Sequence, residues 1–280
     1  MDSLNFSPVN AQSPIGIFDS GIGGLTVAAA VARKLPAERI LYYGDTAHLP
    51  YGEKSPTALR SYAEGITDFL VSEGCKAVVI ACNSASAVAT ASVKKRVGKS
   101  VPVIDVISPT AHYAGLKYGR GKIGVIATKA TVNSRIYARR IGKYAPDAKV
   151  TMLATPLLVA MIEEGFFNNN ISKAVIASYL DRANLRDIDA LILGCTHFPL
   201  IKSEIRMHCA QRTEVIDSAE MIADRTAEAL GKRGLLRGNA AGKAKPEHRF
   251  YVSDLTPSFS ESTKIFFGKK LKLQQRNLWA

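Results

Sequence analysis

Short apolar runs that end at a glycine or a small polar residue, each followed by a stretch long enough for a helix, recur along almost the whole chain. This alternation confines the fold to the α/β class, in which parallel strands are joined by helical crossovers. Ile15-Gly16-Ile17-Phe18 reads as a strand ending at Asp19-Ser20-Gly21, with a helix over residues 25–34. Ile40-Leu41-Tyr42-Tyr43 is a second strand, and a Gly- and Pro-rich loop covers 45–56. A helix over 57–73 leads into the run Ala77-Val78-Val79-Ile80-Ala81-Cys82. After Pro102, residues 103–107 read as another strand, closed by Ser108-Pro109.

The pattern then restarts. Ile123-Gly124-Val125-Ile126-Ala127-Thr128 echoes the first strand at an offset of 108, and Ala190-Leu191-Ile192-Leu193-Gly194-Cys195 echoes the Cys82 strand at 113. Two matched pairs in the same order predict two similar domains, each a mostly parallel sheet flanked by helices. Val215-Ile216-Asp217 precedes a helix to residue 230. A Gly/Ala/Lys linker then leads to Arg249-Phe250-Tyr251-Val252, a strand that can return to the first half. The expected division is a discontinuous first domain (14–108 plus 217–268), a second domain (109–216), and tails at 1–13 and 269–280.

A chain of 280 residues, 47% apolar and 22% charged, has the composition of a globular protein with a sizeable core. No apolar run approaches the ~18 residues that span a bilayer. The first thirteen residues lack the basic and apolar regions of a signal peptide, so a cytoplasmic protein is expected. Four cysteines without a CxxC pair then read as reduced thiols rather than disulfides or a zinc site. The net charge of +13 lies mostly in residues 231–280, where eleven Lys/Arg face three Asp/Glu. That segment carries no recognisable nucleic-acid-binding module and reads as a solvated basic face.

Chemistry concentrates at the strand ends, where ligands collect in parallel α/β proteins. Cys82 and Cys195 each follow an apolar strand and precede a small-polar turn and an expected helix. A free thiol has a pKa near ~8.5 that a helix N-terminus or a nearby cation lowers, so both are candidate acid/base groups. Two thiols delivered this way suit a reaction in which a proton leaves one face of a carbon and returns to the other. Cys75, before its strand, and Cys209, in a polar stretch, read as structural. Asp19-Ser20-Gly21-Ile22-Gly23-Gly24 is a Gly-rich turn opening a helix, suited to holding a small carboxylate on N–H groups. It is a poor dinucleotide fingerprint, because Thr26 holds the place of the third glycine. His197, two residues beyond Cys195, can tune the thiol or shuttle a proton. Glu163-Glu164 ends an apolar stretch, and Pro50-Tyr51-Gly52 is a turn that can contact substrate.

Phe18-Asp19-Ser20-Gly21-Ile22-Gly23-Gly24, Pro50-Tyr51-Gly52, Ala81-Cys82-Asn83-Ser84-Ala85-Ser86 and Gly194-Cys195-Thr196-His197-Phe198-Pro199 together resemble the glutamate racemases. The likeness runs from about residue 15 to residue 230, and the Phe250 strand with its helix is similar to the family's C-terminus. The resemblance implies an active site in a cleft between the two domains, with Cys82 and Cys195 as acid/base thiols. It implies that Asp19, Ser20, Tyr51, Gly52, Asn83, Ser84, Thr196 and His197 bind substrate, and that Asp19, Glu163 and His197 assist proton transfer. No cofactor and no metal are implied, the substrate is glutamate, and the product serves peptidoglycan synthesis. A homodimer is also implied, and, since some racemases of this family restrain DNA gyrase, a secondary contact with gyrase. Ser84 stands where the family usually has threonine, Phe198 where tyrosine is common and Ala160 where proline is frequent. Related aspartate racemases share the cysteine pair but tend to carry a carboxylate at the place of His197, which favours glutamate. An enzyme of the same two-thiol superfamily acting on aspartate, a hydantoin or maleate is the alternative.

Overall fold

The computed structural model describes residues 9–238 and 246–279. Its first four strands, β1 (Ile15–Asp19), β2 (Ile40–Gly44), β3 (Ala77–Ile80) and β4 (Val103–Asp105), alternate with α1 (Leu25–Lys34), α2 (Pro56–Ser72) and α3 (Asn83–Val97). β1, β2 and β3 are buried along their whole length. Strands covered by helices on both faces have no solvent side to alternate toward, hence the unbroken apolar runs. α2 starts where its sequence says it should: the Ser55 hydroxyl accepts the Ala58 N–H and Pro56 takes the first helical position.

The strand expected over 103–107 ends at Asp105. Ile107, Ser108 and Pro109 instead form the first turn of α4 (Ile107–Lys117), where a missing proline N–H breaks no helical hydrogen bond. Beyond it come β5 (Lys122–Ala127), α5 (Lys129–Asn133), α6 (Ile136–Gly142), β6 (Lys149–Ala154), α7 (Pro156–Glu163), α8 (Asn170–Leu180), β7 (Ala190–Gly194), α9 (Lys202–Met207) and β8 (Glu214–Ile216). The chain continues through α10 (Ala219–Gly231), β9 (Arg249–Val252), α11 (Pro257–Phe267) and β10 (Leu273–Gln275).

These elements form two compact units, one of residues 1–106 with 219–280 and one of residues 107–218. The first holds a six-stranded sheet in the order β10-β9-β2-β1-β3-β4, the second a four-stranded sheet in the order β6-β5-β7-β8. Every pairing is parallel. The order β2-β1-β3-β4 is repeated strand for strand by β6-β5-β7-β8, so the sequence echo is a topological repeat. In each sheet the order reverses about a central strand, β1 or β5. The carboxyl ends flanking such a reversal are where α/β sheets place their ligands. Asp19 and Cys82 lie at one reversal, Thr128 and Cys195 at the other.

The expectation of a tail over 269–280 is corrected by the structure. β10 pairs with β9 from Leu273↔Phe250 to Gln275↔Val252, and Leu271 is buried. The Arg276 N–H reaches the Val252 carbonyl at 2.8 Å, and the Tyr43 hydroxyl donates to the Arg276 carbonyl at 2.9 Å. Alternating basic and apolar residues are the mark of an edge strand with one wet face, and the cationic side chains there discourage edge-to-edge pairing. Of the other expected tail, residues 1–8 lie outside the described residues, as do residue 280 and most of the Gly/Ala/Lys linker (239–245).

Candidate active site

In the first unit, the carboxyl end of β1 turns sharply into α1. The buried Asp19 carboxylate accepts the N–H groups of Gly21 and Gly24 through Oδ2, at 3.1 and 3.0 Å. Gly24 is required by this approach, since a Cβ there would sit 2.5 Å from the Asp19 Cβ. Ser20 follows, with its hydroxyl 3.7 Å from the Cys82 sulfur, which donates to it.

Cys82 occupies the N-cap of α3, a helix of 15 residues, and its sulfur accepts the Ala85 N–H at 3.5 Å. Negative charge on that sulfur is stabilised by an N–H donor and by the positive end of the helix dipole. Asn83 and Ser84 open the same helix, both buried. Tyr51 lies in a 3-10 turn after the cis peptide between Leu49 and Pro50, with Gly52 beside it. Its hydroxyl donates to Asp45 Oδ2 at 2.6 Å. Burial, then the Asp45, Cys82 and Asp19 charges, push the Tyr51 phenol well above its ordinary pKa, so it remains a neutral donor. Asp19, Ser20, Tyr51, Gly52, Cys82, Asn83 and Ser84 are all carried by this unit.

The second unit builds a different setting at the equivalent place. Cys195 follows β7, but no long helix starts there. A 3-10 turn, Phe198–Ile201, leads instead into the six residues of α9. Pro199 sits in the first turn of that short segment. The partner of the Cys195 sulfur is an imidazole: His197 Nδ1 is 3.6 Å away, and Thr196 Oγ1 lies 3.5 Å from the same nitrogen. His197 Nε2 meets Glu163 Oε1, at the end of α7, at 3.0 Å. Burial works against the imidazolium, but the Cys195 and Glu163 partners outweigh it and raise the His197 pKa well above 6.5. Glu163, His197, Thr196 and Cys195 are thus joined in one unit. Glu163 belongs to this group with Ala160 one turn before it in α7.

The chain matches the Asp/Glu/hydantoin racemase family model over residues 24–226. It belongs to that family. The glutamate racemase of Neisseria gonorrhoeae is 43% identical over 264 residues, covering 94% of this chain and 96% of that protein. The glutamate racemase of Syntrophus aciditrophicus is 42% identical over 258 residues, covering 92% and 94%. Among solved structures, the glutamate racemase of Francisella tularensis in complex with D-glutamate superposes with a TM-score of 0.89 at 38% identity, covering 96% of this chain and 99% of that one.

Two further residues of this family member support the site and were missed from sequence. Asp45, fully buried, takes the Tyr51 hydroxyl and also His48 Nδ1 at 2.8 Å. Glu204, buried on α9, accepts the Asn168 N–H at 2.9 Å and the Ser172 hydroxyl at 2.5 Å, fixing the segment that follows Glu163. In sequence Asp45 stands out only as an acid at the end of the second strand and Glu204 not at all, because tertiary structure brings Trp279, Asn168 and Ser172 to them. Among the described residues no group of three or more His, Cys, Asp and Glu side chains is arranged to hold a metal, and no helix is long and apolar enough to cross a membrane.

Proposed function

We propose that the protein interconverts L- and D-glutamate without a cofactor, using Cys82 and Cys195 as the two acid/base groups. In one direction a cysteine thiolate takes the α-proton and becomes a thiol. The electron pair left on the α-carbon is delocalised into the adjacent carboxylate. The other cysteine, starting as a thiol, delivers its proton to the opposite face and is left as the thiolate. The roles exchange in reverse, so each turnover leaves one thiol and one thiolate.

The observation that carries this reading is that each sulfur has its own means of holding negative charge. Cys82 has the Ala85 N–H and the N-terminus of α3. Cys195 has His197, itself backed by Glu163. The carbanion requires preorganised donors, which cost no reorganisation at the moment of reaction. Asn83, Ser84, Thr196 and the backbone N–H groups of the Tyr51-Gly52 turn are of the right kind, as is the glycine-rich turn after Asp19. Glutamate is favoured over aspartate because a shorter side chain leaves buried donors unpaired. The D-glutamate formed would supply peptidoglycan synthesis in the cytoplasm.

Circular dichroism of the purified protein with D-glutamate and no added cofactor tests the reading. The signal should decay to zero, and in deuterium oxide the L-glutamate formed should carry solvent deuterium at the α-carbon. Stable optical activity, product without label, or an equal kcat/KM for aspartate would each reject it.

A further inference from the structure

The last residues of the first unit reach its binding turn through one chain of contacts. Trp279 donates its indole N–H to Asp45 Oδ1 at 2.9 Å. The other oxygen of the same carboxylate accepts the Tyr51 hydroxyl at 2.6 Å. The Trp279 ring also meets the edges of His48 and Tyr62, with centroids 5.0 and 5.5 Å apart, while His48 stacks on Tyr62 at 4.0 Å. α2 makes room for the indole with Gly65, where a Cβ would lie 2.9 Å from the Trp279 ring. A glycine inside a helix ordinarily weakens it, so this one has a packing reason.

We infer that Trp279 is a positioning residue for substrate binding, acting through Asp45 on the Tyr51-Gly52 turn. This rests on the proposed reading of that turn as a substrate contact. The Tyr51 hydroxyl is committed to Asp45, so the turn offers glutamate its backbone N–H groups, and their aim depends on how firmly the phenol is anchored. Asp45 is the anchor. Its carboxylate is held in one rotamer by the indole N–H on Oδ1 and by His48 Nδ1, which lies 3.0 and 2.8 Å from Oδ1 and Oδ2. β10 delivers the indole: Arg276, one residue past the strand, is bonded to β9, and three residues later the chain reaches Trp279.

The full-length protein supplies the test. Trp279→Phe keeps the ring and removes the donor, Gly65→Ala pushes the indole out while favouring the helix, and Tyr51→Phe cuts the tie at its far end. Each should raise the KM for D-glutamate about fivefold, the usual scale for one lost hydrogen bond, with kcat within about twofold. The Trp279→Phe/Tyr51→Phe double variant should be no worse than the worse single one, because both cut the same chain. Trp279 is the sole tryptophan, so its emission should respond to D-glutamate in the wild type and lose that response in Tyr51→Phe. A lowered melting temperature with unchanged KM in Trp279→Phe and Gly65→Ala would overturn the inference and leave Tyr51 as a binding element. Multiplying effects in the double variant would also overturn it. An unchanged KM in Tyr51→Phe would remove the underlying reading of the turn, and the inference with it.

Discussion

The two units repeat the same four-strand order, yet they stabilise their cysteines by different physics. Cys82 caps a long helix and is served by a backbone N–H, a group with no titration of its own. Cys195 leads into a 3-10 turn and is served by an imidazole whose charge depends on pH. A duplicated scaffold retains the place where a strand ends more readily than the conformation of the next segment, because the sheet fixes the first and the local sequence the second. Asn83-Ser84-Ala85 propagates a helix from Cys82, whereas Thr196-His197-Phe198-Pro199 makes a tight turn that folds the imidazole back toward the sulfur.

The harshest challenge to this comparison is to remove each thiol in turn. Cys82→Ser and Cys195→Ser should each lower kcat by on the order of 10³-fold or more, since a hydroxyl is a far weaker acid than a thiol. Substantial racemisation by either variant would break the equivalence of the two positions.

Next in size, His197→Asn and Glu163→Gln should lower kcat by about 100-fold, the low end of the range for a positioned acid/base group. Enantiomers have equal free energies, so kcat/KM must stay equal in the two directions. The asymmetry should therefore emerge as unequal α-deuterium isotope effects for L- and D-glutamate. Equal effects in both directions would show that the imidazole serves both thiols alike.

The units also differ in width, since the first carries β9 and β10 and the second stops at four strands. A chain ending at Gly268 loses β10, exposes the β9 edge and frees Asp45 from Trp279. It should be less soluble than the full chain and have a KM raised at least as far as in Trp279→Phe, by sedimentation and steady-state kinetics. A soluble protein with the original KM would show that the first unit is as self-sufficient as the second.

The smallest effect is on stability. His197 holds its proton more tightly folded than unfolded, since its pKa is raised above 6.5. The stabilisation is therefore fully present below pH ~6.5 and is lost as pH rises through the raised value. The melting-temperature advantage over His197→Asn should shrink by about 2–4 °C across that interval for each kcal/mol involved.

How much of this was legible in the chain depended on whether a feature is local. The strands before Asp19, Cys82, Thr128 and Cys195 are continuous apolar runs, and their spacing alone exposed the repeat that the two sheet orders display. β6 gives no such signal, because Lys149-Val150-Thr151-Met152-Leu153-Ala154 is an edge strand, half-buried and without a distinctive apolar run. Ile107 read as the end of a strand because a β-branched residue before Ser-Pro fits either a strand end or a helix start. The helix expected directly after Cys195 is the 3-10 turn and short α9 instead, since Pro199 favours a tight first turn over a long regular helix. The role of residues 271–279 was hidden by their charge, since basic side chains pointing to water say nothing of the backbone they hang from. The supporting roles of Asp45 and Glu204 could not be read, because they depend on Tyr51, Trp279 and Asn168, which lie six or more residues away along the chain.

The interrupted first unit has a consequence for how the protein is made. β2, synthesised early, finds its outer neighbour β9 only after the whole second unit has been translated. For that interval the nascent chain displays an unpaired, apolar strand edge, the feature most prone to capture by another chain. The second unit is contiguous and can complete its own sheet while the ribosome is still at work, so it should become protease-resistant before the first. Ribosome-bound chains stalled beyond α10 but before β9 would be the species on which chaperones act.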